Sequence, residues 1–194
     1  MKYFFIFLFF PFTVLAQSSK DKFLGNINVQ WLDDGRSMKL LNEFGYKDPN
    51  GKQWNVPKNT IVDGASIPQV FWSTIGGPYE GRYRNASVIH DYYCVIKTET
   101  WQNVHLMFYN ACITGGTSTV KAKLMYAAVY SGGPRWKIYT QKNLDGSDLK
   151  IIQEKQTVAS HYKFEEITDW IESTNPSLEA INEKLNGIVV EVDK

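Results

Sequence analysis

The residues best suited to chemistry lie close together in the middle of the chain. They are Asp63 and Ser66 in the run VDGASIPQVFW (62–72), His90-Asp91 in ASVIHDYYC (86–94), and His105. An imidazole beside a carboxylate can transfer protons or hold a metal. Neighbours on a helix point about 100° apart, so His90 and Asp91 would serve adjoining tasks: His90 as base or ligand, Asp91 as ligand or orienter. Two histidines from two helices plus Asp91 or Asp63 would give three N/O donors, a common count at a catalytic metal. Zinc and calcium are the candidate ions, and Cys94, one turn after His90, is a further donor. Ser66 would be a nucleophile beside His90, although no glycine elbow surrounds it. Each residue also has an architectural reading. Asp63 suits a tight turn and Ser66 a helix cap. Cys94 suits a small buried hydrophobe, and His105 a half-buried ring against Trp101 and Tyr109.

The elements that must position these groups follow from periodicity. Asn85 to Lys97 reads as a helix with Val88, Ile89, Tyr92, Tyr93, Val95 and Ile96 on one face. Ser87, His90, Asp91 and Cys94 fill the other face. It lacks the Lys and Glu of a solvated surface, so it should line a cleft or pack on a polar layer. Thr100 to Ile113 reads as the next helix. Antiparallel partners in such a hairpin have index sums near 195–198, which brings His105 beside His90. The same register leaves Cys94 and Cys112 several residues out of step, beyond disulfide reach. Val120 to Tyr130 is a third helical segment.

Upstream, Asn28–Leu32, Ser37–Phe44, Trp54–Pro57 and Thr60–Val62 read as strands, with Asp-Gly and Asp-Pro-Asn-Gly turns between them. Ala65–Ile75 reads as a short helix capped by Ser66, with Pro68 near its first turn. Downstream, Trp136–Thr140 and Leu149–Gln153 read as strands. Phe164–Glu172 and Pro176–Asn186 read as helices, the second capped by Asn175 or Thr174, and Ile188–Val192 as a closing strand. The expected fold class is α+β: a β-rich N-terminal third, a central antiparallel helical hairpin, and a small mixed tail. Residues 17–140 are expected to form the core domain and 141–194 an accessory segment. Trp72, Tyr79, Tyr83, Tyr92, Tyr93, Trp101 and Tyr109 make the centre strongly aromatic, as core or as a groove lining.

Residues 1–16 read as a signal peptide: Lys2, then a nearly unbroken apolar run from Tyr3 to Ala16, with a small residue before Gln17. The chain is therefore expected to be exported, periplasmic or secreted. The whole sequence holds 21 Lys+Arg and 20 Asp+Glu. Loss of Lys2 balances these charges, which leaves no broad electrostatic claim on nucleic acid. No later segment is apolar enough to span a bilayer.

The run Leu40-Leu41, Tyr46, Gly51, Val56-Pro57, Asp63-Gly64-Ala65-Ser66-Ile67-Pro68, Phe71-Trp72, Gly77-Pro78, His90-Asp91-Tyr92 resembles the DUF1353 family, over about residues 25–136. That family is named only as a domain of unknown function, so the resemblance implies no activity. It does expose one departure. The family usually carries an acidic residue three positions before a Phe on the second helix, and here His105 precedes Phe108. A metal site would accept that exchange, whereas a carboxylate that orients His90 would be lost. The His-Asp helix also has a short local likeness to secreted phospholipases A2, without their dense disulfides.

Two readings therefore stand at the level of sequence. One is an exported hydrolase with His90, Asp91, Asp63 and His105 around a cleft, acting on a peptidoglycan peptide or phospholipid of the cell envelope. The other is a non-catalytic envelope or interaction protein with a degenerate site.

Overall fold

The structure, a computed structural model, describes residues 21–64, 67, 69–77, 79–158 and 161–193. The expected signal peptide and Ser66 lie outside the described residues. In chain order the elements are β1 (Lys22–Leu24), β2 (Val29–Trp31), β3 (Met38–Leu40), β4 (Phe44–Lys47), β5 (Gln53–Val56) and β6 (Ile61–Val62). A 3₁₀ turn and the short α1 (Trp72–Ile75) follow, then α2 (Arg84–Ile96), α3 (Trp101–Thr114) and α4 (Thr119–Gly132). The tail is β7 (Arg135–Lys142), β8 (Asp148–Val158), α5 (His161–Thr174), α6 (Leu178–Asn186) and β9 (Val190–Asp193). The fold is α+β, with strands leading and helices at the centre.

Among the described residues strand pairing is antiparallel throughout, in three small sheets of order β1-β4-β5, β2-β3-β6 and β7-β8-β9. The expected strand 37–44 is two strands in two different sheets. The break comes at Leu41–Glu43, where the Asn42 side-chain amide donates to the backbone carbonyls of Asn26 and Glu43. The β4–β5 hairpin turns on Asp48-Pro49-Asn50-Gly51. Asp48 accepts from the backbone of Asn50 and Lys52 and from the Trp54 indole, and Gly51 supplies the positive φ of 87°.

Over α4, Ala122 through Ser131 are all buried, so this stretch of the helix runs through the core with no wet face. α3 packs against it through Trp101 on Tyr130 and Tyr109 on Tyr126. Lys123, Tyr126 and Tyr130 also bond Asn175, Asn182 and Asn186, which docks α5 and α6. Asn175 thus ends α5 in a left-handed conformation, φ 44°, and Ser177 caps α6. No described helix is long and apolar enough to cross a membrane.

The hairpin angle of α2 and α3 depends on one close approach. A Cβ on Gly115, at the end of α3, would lie 2.4 Å from the Arg82 carbonyl oxygen just before α2. That neighbour is backbone and cannot swing aside. Gly115→Ala is therefore expected to destabilise the protein by about 1–3 kcal/mol through overpacking. A thermal melt within a degree of wild type would contradict this.

Candidate metal centre

The polar face of α2 is buried, as its lack of Lys and Glu required. Ser87 and His90 are fully buried, Asp91 is 3% exposed and Cys94 4%. Val95, placed on the apolar face by periodicity, is instead 70% exposed, because it lies at the rim of a cleft.

α2 and α3 run antiparallel in the expected register, and His90 Nε2 lies 2.9 Å from His105 Nδ1. His105 is completely buried rather than half-buried, packed beside Trp101 at 5.4 Å between ring centres. His90 packs on Phe108. Cys94, four residues after His90, turns its thiol back along the helix to 3.7 Å from His90 Nε2. One donor atom each from His90, Cys94 and His105 falls within a mutual 4.8 Å.

The 3.7 Å N···S separation is that of a metal polyhedron, whereas the 2.9 Å between the two rings is a hydrogen bond and would have to open for both nitrogens to hold one ion. Zinc bonds of about 2.0–2.1 Å to nitrogen and about 2.3 Å to sulfur, at tetrahedral angles, imply edges of roughly 3.3 Å (N···N) and roughly 3.6 Å (N···S). Two nitrogens and one thiolate suit zinc and copper rather than calcium, which takes oxygen.

Burial holds His105 well below the usual histidine range, and the positive forms of His90 and Arg135 push it the same way. The Pro134 carbonyl opposes this weakly, outside hydrogen-bond geometry, since Nε2 of His105 has no hydrogen-bond partner. A ring kept neutral is the ligating form. Cys112, also buried and free of any disulfide, has its thiol pushed up by burial and stands outside the cluster.

Asp91 and Asp63 divide the work differently from expectation. Asp91 is outside the three-residue cluster. Its Oδ2 accepts from the backbone N–H of Asp63 at 2.8 Å and of Gly64 at 3.4 Å, tying the Asp-Gly turn to α2. The Asp63 carboxylate faces outward, ion-paired with Arg36 at 3.2 Å, while the Asp63 carbonyl accepts from Arg36 Nε. So the backbone of Asp63, not its side chain, meets the site.

Asp91 and Cys94 line a cleft of about 700 Å³. Its other walls are the Asp63-Gly64 turn, the corner Gly132–Arg135 between α4 and β7, and Glu154–Thr157 of β8. Arg135 carried no weight in the sequence reading, yet it is 4% exposed, lies over the Trp101 and Tyr130 rings and borders the cleft. The available signal was a basic residue directly after a helix-breaking Gly-Gly-Pro. Of the aromatics, Tyr83 and Trp101 are core; Trp72, Tyr79, Tyr92, Tyr93 and Tyr109 are partly buried against it.

A family model described as "Protein of unknown function (DUF1353)" matches residues 38–129. Over that segment, just under half of the chain, the protein is similar to the DUF1353 family. The matched segment contains His90, Asp91, Cys94 and His105, and ends within α4. The chain is 45% identical over 133 residues to the uncharacterized protein y4jT of Sinorhizobium fredii, covering 66% of this chain and 40% of that one. It is 43% identical over 151 residues to the uncharacterized protein y4iH of the same organism, covering 71% and 63%. The chain thus spans less than two thirds of the length of either relative. No solved structure matches.

Proposed function

We propose that this protein is an exported, metal-dependent hydrolase of the cell envelope, with zinc held by His90, Cys94 and His105. The mutual approach of three buried donor atoms carries the reading. Three protein ligands leave a fourth position open, and Cys94 and Asp91 place that side of the cluster next to a cleft. A bound zinc would supply Lewis acidity and a more acidic water. Asp91, at the cleft wall, is the nearby proton acceptor. The apolar run after Lys2 supports export, and envelope peptides and lipids are what an exported enzyme meets.

One observation favours a second reading. Both imidazoles are fully buried, as in a structural metal site or a bonded polar core of an envelope or interaction protein.

The test is elemental analysis of the purified protein and of a His90→Ala/His105→Ala variant. About one zinc per chain in the wild type, absent from the variant, is expected. A metal-free wild type whose melting temperature ignores added zinc would remove the metal reading. Metal present but equally retained by the variant would remove these ligands.

A further inference from the structure

The sequence holds the pair Asn-Gly twice, at Asn50-Gly51 and at Asn186-Gly187. This dipeptide carries a reaction of its own. The backbone nitrogen of the glycine, losing its proton, attacks the side-chain carbonyl carbon of the asparagine. Ammonia leaves and a cyclic imide closes. Water then opens the imide at either carbonyl, giving aspartate or isoaspartate. No oxidant, metal or second protein is needed. Glycine favours the attack because it has no Cβ to crowd the nitrogen and leaves the backbone most free to turn. The two pairs are identical in sequence, and the fold treats them differently.

Asn186 is the last residue of α6. Its side-chain oxygen accepts from the Tyr130 hydroxyl at 2.8 Å, and Tyr130 belongs to the core. The Gly187 amide donates back to the Glu183 carbonyl at 3.3 Å. Ring closure there would break the anchor to Tyr130 and unwind the last turn of a helix docked on α4.

Asn50 sits at the exposed tip of the β4–β5 hairpin, with Pro49 and Gly51 exposed beside it. Its backbone N–H donates to the Asp48 carboxylate at 2.9 Å, and its side chain makes no hydrogen bond among the described residues. A Cβ added to Gly51 would find nothing closer than Lys47 Cε at 3.8 Å, so the space around the attacking nitrogen is open. One bond holds the Gly51 amide, to the Asp48 carbonyl at 2.9 Å. A turn bond at a solvated tip opens locally, without disturbing the core.

We propose that Asn50 is a self-modification site: in the folded protein its amide is converted through the cyclic imide to a carboxylate, with isoaspartate among the products, while Asn186 stays intact. Conversion places a second carboxylate in the turn beside Asp48, and the isoaspartyl form adds a methylene to the main chain of the hairpin. That hairpin reaches α2. Trp54 stands edge-on to Tyr93 at 4.9 Å, and the Asn55 amide donates to the Tyr93 hydroxyl at 3.1 Å.

The experiment incubates the purified protein in mildly alkaline buffer, folded and in denaturant, and follows both asparagines by peptide mass spectrometry. In denaturant the two sites should convert at similar rates, because nothing then distinguishes them. In the folded protein Asn50 should convert at least about tenfold faster than Asn186. Isoaspartate should appear at position 50, since simple hydrolysis of the side-chain amide cannot produce it. Asn50→Gln, which disfavours the small ring and removes no hydrogen bond of the side chain, should melt like wild type and stay unconverted. Equal rates at the two sites in the folded protein, an intact Asn50 under conditions that convert the denatured chain, or aspartate without isoaspartate would overturn the proposal.

Discussion

Asp91→Ala is expected to lower stability by about 2–4 kcal/mol while leaving the His90–Cys94–His105 cluster in place. The Asp91 carboxylate is 3% exposed and is the acceptor for two successive backbone N–H groups, those of Asp63 and Gly64. Alanine would strand the Gly64 amide at a buried position and the Asp63 amide at a part-buried one, at about 1–3 kcal/mol for each unsatisfied group. The longer bond, 3.4 Å to Gly64, belongs at the low end of that range. In a domain of this size the total corresponds to a fall in melting temperature of roughly 5–15 °C. Asp91→Asn keeps an oxygen acceptor with the same reach and should forfeit less than half as much. Melting curves of the two variants check the stability claim, and an Asp91→Ala melt indistinguishable from wild type would sink it. Their zinc content checks a second point. If Cys94 rather than Asp91 completes the ligand set, both Asp91 variants bind zinc and Cys94→Ala does not. The opposite pattern would restore Asp91 as the ligand.

That contrast marks where sequence stops being informative about this site. Antiparallel register alone paired residue 90 with residue 105, because an index sum is a property of two helices and needs no side-chain detail. It also kept Cys94 and Cys112 apart, and neither forms a disulfide. Side-chain aim is a different matter. Asp91 and Cys94 share the buried face of α2, and spacing cannot say which of them swings toward His105. The structure decides it through the Asp-Gly turn, whose amides capture Asp91 first. Asp63 shows the same limit: its carboxylate was a reasonable partner for an imidazole until Arg36, remote in sequence, claimed it. Strand boundaries failed for a related reason. Ser37–Phe44 has the composition of one strand, but Leu40 and Phe44 belong to different sheets, and sheet membership is set by tertiary partners. β8 outruns its expected end at Gln153 because β9 pairs with Lys155–Val158, a partner far along the chain. Asn175 was read as a helix start, although the left-handed conformation open to Asn makes it equally good at a helix end.

The metal-free protein is expected to lose stability steadily as pH falls below about 6.5, and His105 is the reason. Burial holds its folded-state pKa well below the ordinary 6.5. Above 6.5 neither the folded nor the unfolded chain protonates this ring, so it contributes no pH dependence. Below 6.5 the unfolded chain takes up a proton that the folded chain refuses, and stability falls with decreasing pH until the folded pKa is reached. The slope approaches about 1.4 kcal/mol per pH unit and persists until the folded pKa is reached. Exposed turn carboxylates fall outside this window. Asp34 and Asp145 are held below their ordinary 3.8 by hydrogen bonds from Ser37 and Ser147, so whatever they contribute is retained until the pH drops below that. Denaturant titrations in the presence of a chelator at pH 7.5, 6.5, 5.5 and 4.5 would measure the slope. The loss should be much smaller in His105→Gln, which keeps polarity but cannot titrate. An acid slope unchanged in that variant would assign the effect elsewhere. Zinc held by the proposed ligands is expected to make the wild-type curve steeper, because protons and metal would then compete for the same nitrogen and sulfur atoms. A steeper acid limb with zinc than with chelator, absent from the His90→Ala/His105→Ala variant, is therefore the stability signature expected of a ligand cluster and not of a bonded pair of core imidazoles.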